Sequence, residues 1–363
     1  MKKIFFSIVA LAALAACTKS EVAYEASAEI GFAPAVKNVT KAAMEEGPLV
    51  DENIQLGVWA YWDNDGSIEA EATYANYETL YLDDALFGLK GTAWGGVDEA
   101  YPWPTNGSLV FAGYIKPEGM SLSVTYGLTD NTATTDATDP DYMIFTNYTQ
   151  SSNPAETFDL CWFGRTLGSH NNYRTGTAVP VTLSHALTWI TFQIVGEEES
   201  LPVTSGWKVT KVTLNDIYTT GTGKCVGTTI KEEDTVIPAV ATWNNLADDT
   251  SMDIFEAREA DPENNIEALA AQVINDEASD IEETPRGTII IPQDPTSVTI
   301  EYQYTVQERT IVENKTLPLT LSDSGKWEAG VHYTYTLVFN SNEILVSPSY
   351  ADWATSDQTI TVE

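Results

Sequence analysis

Residues 179–195 read VPVTLSHALTWITFQIV, and this stretch decides the fold class. Val181, Leu183, Leu187 and Trp189 alternate with other residues, the period-2 pattern of a half-buried strand. After Trp189 the parity switches, and Ile190, Phe192 and Ile194 become the apolar set. A switch of parity inside one apolar run implies a bulge, or a strand covered on both faces. The stretch follows the loop-like Ser169–Thr177 near mid-chain, so it reads as the first long strand of a second β-rich module.

Working outward, short strand candidates recur on both sides. Ile54–Trp62 (IQLGVWAYW), Leu80–Leu82, Ala85–Phe87, Ser108–Tyr114 (SLVFAGY), Leu122–Tyr126 and Phe158–Phe163 precede it, separated by Gly, Pro, Asn and Asp. Trp207–Leu214, Thr288–Pro292, Val298–Val306, Thr316–Leu321, Tyr333–Phe339 and Ile344–Val346 follow it. That spacing predicts an all-β chain of sandwiches or barrels. One helix is predicted within Asp253–Glu283. Asp261 is its N-cap, Pro262 its first residue, and Ile266, Leu269, Val273 and Ile274 fall on one face.

With 363 residues and 43% apolar content, the chain can bury two cores of ordinary size. Eighteen Lys and Arg against 53 Asp and Glu give a net charge of −35. Such a surface repels phosphate backbones over a Debye length of about 10 Å, so nucleic acid is not an expected partner.

The N-terminus sets the compartment. Lys2 and Lys3 precede the apolar run Ile4–Ala16, shorter than the roughly 20 residues of a membrane-spanning helix. Leu14-Ala15-Ala16-Cys17 resembles a bacterial lipobox, with residues 1–16 as signal peptide and Cys17 as the lipidated residue. Several acyl chains on Cys17 would anchor the protein stably, at about 0.8 kcal/mol per buried CH₂. The alternative is an ordinary signal peptide with an incidental Cys. Cys161 and Cys225 either pair in this oxidising setting or serve as small buried apolar residues.

Catalytic motifs are scarce. The sequence holds no H-E-x-x-H, C-x-x-C, G-x-S-x-G or Gly-rich phosphate loop, so no catalytic residue, metal site or cofactor is expected. Ser184 and His185 are adjacent, and in a strand they point to opposite faces. A glycosidase needs two carboxylates, and among 53 no pair stands out. Asp63-Asn64-Asp65-Gly66 with Glu69 and Glu71 reads as a hairpin turn rather than a calcium loop, because the closing Glu comes too early. Asp136, Asp139 and Asp141 read as loop. The ten Trp and seventeen Tyr would serve in packing or in stacking on sugar faces. Trp103, between two prolines, is the one whose exposure would discriminate.

Several segments resemble the fimbrillins, subunits of type V pili. Cys17-Thr18-Lys19, the early Ile30-Gly31-Phe32 and Thr40-Lys41-Ala42 are similar to their leader and processing region. Tyr101–Pro104 with Gly107–Tyr114 resembles their N-domain signature. Phe158-Asp159-Leu160 and His185-Ala186-Leu187 look like the domain junction, and Trp327–Gly330, Tyr333–Leu337 and Asp352-Trp353 like the C-domain ending.

The resemblance implies two transthyretin-like β-sandwich domains in tandem, residues 42–178 and 179–363, after a lipidated leader at residues 17–41. It implies a structural, non-enzymatic subunit of surface fimbriae on the outer membrane, used in cell adhesion. A processing protease would cut after Lys41, with Lys37 as second choice, removing the strand that carries Ile30 and Phe32. The vacancy would accept a neighbouring subunit's C-terminal strand, with Ile344, Val346, Ile360 and Val362 as candidate anchors. Implied partners are other fimbrial subunits, the outer membrane through lipid on Cys17, the protease, and a ligand on a host or bacterial surface. The alternative from another class is a surface glycan-binding lipoprotein that does not polymerise.

Overall fold

The computed structural model describes residues 24–36, 47–48, 53–63, 79–91, 93–104, 107–127, 142–169, 177–197, 206–226, 229–230, 236–237, 240–260, 268–275, 278–281, 287–321, 325–340, 344–352 and 360–361. Among them the architecture is all-β. The first half carries β1 (Tyr24–Glu29), β2 (Phe32–Val36), β3 (Gly47–Pro48), β4 (Ile54–Asp63), β5 (Thr79–Lys90) and β6 (Ala93–Gly96). It continues with β7 (Pro102–Pro104), β8 (Ser108–Pro117), β9 (Val124–Gly127), β10 (Tyr142–Thr149), β11 (Cys161–Ser169) and β12 (Val179–His185). Then come β13 (Thr188–Gly196), β14 (Lys208–Val226), the short β15 (Thr229–Ile230) and β16 (Val236–Ile237), and β17 (Val240–Glu256). The remainder is β18 (Gln272–Val273), β19 (Ser279–Asp280), β20 (Thr288–Ile290), β21 (Ser297–Val306), β22 (Arg309–Pro318), β23 (Val331–Phe339), β24 (Ile344–Asp352) and β25 (Ile360–Thr361).

Seven strands, in the order β12-β11-β8-β4-β5-β6-β2, form a sheet that closes on itself because β2 also pairs with β12. Closure leaves these strands no open edge. Leu56, Val58, Ala60 and Trp62 of β4 and Leu109, Phe111 and Ile115 of β8 point into the ring. Trp59, Ala112 and Tyr114 on the same strands point outward into a second core with Met143, Phe145, Trp162, Trp189 and Cys225. Both faces are therefore covered, which explains why IQLGVWAYW and SLVFAGY are almost wholly apolar.

The sheet that covers that outer face is organised on β14. Its second half pairs with β10, from Thr220↔Thr149 to Val226↔Tyr142. Its first half pairs with β21 on the same side, at Val209↔Tyr302 and Asn215↔Ser297. β17 runs along the opposite edge from Lys211↔Glu256 to Val226↔Val240. Register shifts interrupt this ladder. Asp216, Asn245 and Asp248 adopt positive φ beside them, a conformation Asp and Asn tolerate better than branched residues do. The third sheet runs β19-β13-β23-β24-β25, with β20 also on β13. Its inner face and the first half of β14 enclose a third core around Ile190, Phe192, Phe255, Trp327 and Tyr335.

Two expectations change. The stretch 179–195 is two strands rather than one, bent at Ala186–Leu187. β12 pairs with β11 and β2 in the ring, so residues 179–185, expected to open the second half, belong to the first sheet. The parity switch is a change of core: Val179, Val181 and Leu183 fill the ring, while Ile190, Phe192 and Ile194 fill the core of the third sheet.

The helix is also overturned where it can be seen. Asp261, Pro262 and Ile266 lie outside the described residues. Leu269 bridges Arg258 through paired backbone bonds of 2.9 Å, and β18 pairs with Val209 and Lys208. Leu269 and Ile274 pack on the third-sheet core from extended backbone. Pairing to the edge of β14 outweighs a helical spacing worth only tenths of a kcal/mol per residue. Among the described residues the one helical element is the 3₁₀ turn Pro154–Glu156, whose N-cap Asn153 accepts from the Ala155 N–H.

Candidate functional site

The strand that closes the ring is the site to build. Ile30, Phe32 and Pro34 face inward and are buried, while Ala33 is exposed, as the alternation of IGFAPA requires. β2 runs parallel to β12, from Phe32↔Val179 to Val36↔Leu183. On its other side it meets β6 only at Phe32↔Trp94 and β3 at Ala35↔Pro48 and Val36↔Gly47. Pro34 brings no N–H to either ladder. The Ile30 N–H donates to the Tyr101 carbonyl at 2.7 Å, and the Val179 N–H to the Gly31 carbonyl at 2.8 Å. A Cβ on Gly31 would stand 3.0 Å from the Trp94 carbonyl oxygen, so the chain passes here at close range.

The ladder on the β6 and β3 side is short, and there the core side chains hold the strand. Phe32 is 1% exposed and meets Phe87 at 4.8 Å and Phe111 at 5.2 Å, both edge-on, with Phe163 at 6.4 Å. Burying such a ring contributes about 1.5–3 kcal/mol, beyond which favourable aromatic geometry adds about 1. Withdrawing β2 would uncover the outer edge of β12 and an aromatic trench.

At the other end of the chain, Ile344 is buried in the third-sheet core and Val346 packs partly against it. β24 pairs with β23 along its length, from Phe339↔Ile344 to Val331↔Asp352. β25 pairs with β24 only at Ser349↔Thr361 and Tyr350↔Ile360. The candidate anchors thus fall into two groups, Ile344 and Val346 built into the chain's own sheet and Ile360 lightly attached. Cys17, Lys37, Lys41 and Val362 lie outside the described residues, as do Asn64–Gly66, Glu69, Glu71, Asp136, Asp139 and Asp141.

Trp103 is fully buried and stands edge-on to Phe111 at 5.8 Å, a core residue rather than a stacking platform. Cys161 and Cys225 are buried and unbridged. Cys225, in an apolar core, takes the small-apolar reading.

A second constellation escaped the sequence reading. At the β11–β12 pairing, Cys161 sits directly opposite His185. His185 Nδ1 is 2.9 and 3.1 Å from the Asp159 carboxylate oxygens and 3.3 Å from Cys161 Sγ. All three side chains are buried. Burial, and then the Asp159 charge, pushes the Cys161 thiol well above its usual range. Thiol and carboxylate converge on the same ring nitrogen, so the imidazole cannot relay a proton between them as in a nucleophile–base–orienter chain. Phe158-Asp159-Leu160 and His185-Ala186-Leu187 were both marked in the sequence, but their separation hid that they meet.

The fimbrillin-like family model matches residues 40–353. The chain belongs to the fimbrillin-like family. As a member it is a fimbrial subunit. Residues 1–18 match the prokaryotic membrane lipoprotein lipid attachment site, which includes Cys17. This fimbrillin-like protein is therefore lipid-anchored at the cell surface. Among the described residues no helix is long and apolar enough to cross a membrane.

Among solved structures, a fimbrial protein from Bacteroides vulgatus ATCC 8482 aligns with a TM-score of 0.55 at 15% identity, over 89% of this chain and 99% of that one. That likeness speaks for the fold. Two structures described as putative cell adhesion proteins, from Bacteroides uniformis ATCC 8492 and Bacteroides ovatus ATCC 8483, have TM-scores of 0.43 each, at 12% and 16% identity. They cover 90% and 92% of this chain and 99% and 100% of their own. No curated protein matches the fimbrillin-like chain in sequence.

Proposed function

We propose that this fimbrillin-like protein polymerises by strand exchange. A protease cuts after Lys41, or after Lys37, and the leader leaves with Ile30 and with β2, which carries Phe32. Both cuts fall beyond Val36, so either would take the whole strand. The ring then presents unpaired backbone groups on β12 and an apolar trench, and a neighbour's strand satisfies both at once. The single observation that carries this reading is that β2 is the closing strand of the ring, with Phe32 seated in the core.

The donor is the tail beyond Asp352, with Ile360 and Val362 as anchors. Transferring Ile344 and Val346 as well would strip β24 from its own core, whereas β25 is held at two residue pairs. Before processing the subunit is a monomer tethered through Cys17, and the work it does is structural, not enzymatic. In this reading the two modules are divided at Ala186–Leu187. The glycan-binding alternative loses its first candidate, since Trp103 is enclosed.

Two measurements test the proposal. The N-terminus of the mature surface protein is expected at Ala42, or Asn38 for the second site; Cys17 alone would mean permanent anchoring without exchange. Deleting Gln358–Glu363 should leave a folded monomer that no longer assembles, and normal fibres from that truncation would refute the donor assignment.

A further inference from the structure

We propose that Asp159, Cys161 and His185 bind one zinc-class divalent cation where the chain leaves the ring for the third sheet. The three ligand atoms lie within 4.8 Å of one another, in a pocket closed to solvent. One thiolate, one imidazole and one carboxylate form the mixed S/N/O set that zinc takes in preference to calcium or magnesium, which want oxygen alone.

The distances are close to what such an ion demands. With Zn–S of about 2.3 Å and Zn–N and Zn–O of about 2.0–2.2 Å, tetrahedral ligation separates S from N by about 3.5 Å and N from O by about 3.4 Å. The present separations are 3.3 Å for Cys161 Sγ to His185 Nδ1 and 2.9 Å for His185 Nδ1 to Asp159 Oδ2. Opening the cluster by about half an ångström, a side-chain adjustment, makes room for the ion at ligand lengths normal for zinc. The backbone is already set: Cys161 and His185 are cross-strand partners, and the Ala186 N–H donates to the Leu160 carbonyl at 2.8 Å.

Binding is a proton exchange without redox change. The cation displaces the thiol proton of Cys161 and any proton on His185 Nδ1, both of which pass to solvent, and three protein bonds form, with a water carried in by the ion completing the tetrahedron. The dication then offsets the thiolate and carboxylate in a site where water cannot. Its place gives it a mechanical role. It ties β11 to β12 one residue before the bend at Ala186, whose carbonyl also accepts from Trp243 Nε1 at 2.7 Å. The ion would therefore stiffen the passage between the sheets. Because the pocket is closed, loading accompanies folding.

The test uses the purified full chain, unfolded and refolded with zinc or with cobalt(II). Expected are one zinc per chain by elemental analysis and, with cobalt(II), the visible d–d bands of a tetrahedral site together with a thiolate-to-cobalt charge-transfer band. Cys161→Ser should lose the charge-transfer band, while Cys225→Ser keeps it, since Cys225 has no comparable cluster around it among the described residues. Protein that refolds with its native circular dichroism but holds no stoichiometric zinc and shows no charge-transfer band overturns the proposal. So does a band that persists in Cys161→Ser. The wild-type spectra decide the question even where a variant fails to fold.

Discussion

His185 Nδ1 lies 2.9 Å from Asp159 Oδ2, both residues buried at the β11–β12 pairing although 26 positions separate them in the chain. Removing one partner of such a buried hydrogen bond costs about 1–3 kcal/mol. Asp159→Ala in metal-free buffer should lower stability by that order, read as a fall in the urea midpoint at unchanged slope. A loss under about 1 kcal/mol would mean that solvent reaches the pair.

Phe32 is the side chain that most firmly seats β2. Phe32→Ala removes its contacts with Phe87 and Phe111 and should cost about 3–5 kcal/mol. Because β2 meets β6 and β3 at only three residue pairs, the loss should concentrate there. Amide exchange at Phe32–Val36 is expected to accelerate more than at Ser108–Pro117; equal acceleration in both would show that β2 is not an independently loosened element.

His332 stacks on Trp189 at 3.8 Å and lies 2.8 Å from Thr191 Oγ1 through its Nε2. Burial lowers its pKa to about 4, against a smaller raising effect of Asp280. The folded value is below the unfolded one, so the unfolded chain binds the extra proton between about 6.5 and 4. Stability from this residue is full above about pH 6.5 and is lost as pH falls toward 4, by up to about 3 kcal/mol. His332→Phe should flatten that part of the pH dependence of the urea midpoint; an unchanged slope would assign it to carboxylates instead.

Gly113 on β8 has no room for a side chain. A Cβ there would meet the Gly57 carbonyl oxygen at 2.5 Å and the Phe163 ring at 2.6 Å. The carbonyl belongs to the adjacent strand and cannot rotate away, so Gly113→Ala should cost about 1–3 kcal/mol, seen as a lower thermal midpoint. Gly119→Ala offers contrast. Nothing lies within 4 Å of its Cβ, and its penalty is only that of positive φ, near 1 kcal/mol.

The sequence by itself determined the predominance of strands, the lipid attachment site that includes Cys17, and much of which residues turn inward. Period-2 alternation and long apolar runs are local signals, and they marked IQLGVWAYW and SLVFAGY correctly as buried strands. Local pattern is silent about partners, because an alternating strand buries one face equally well against any suitable neighbour. Tertiary structure alone decided that Phe32–Val36 closes a ring beside Val179–Leu183, and that a parity switch at residues 186–190 is a passage between cores. It also decided that Leu269 and Ile274, spaced as in a helix, lie extended along another strand, since pairing and burial together exceed weak backbone preference. Asp159, Cys161 and His185 converge for the same reason. Their meeting is made by the β11–β12 register, a property of two segments at once that no window along one of them contains.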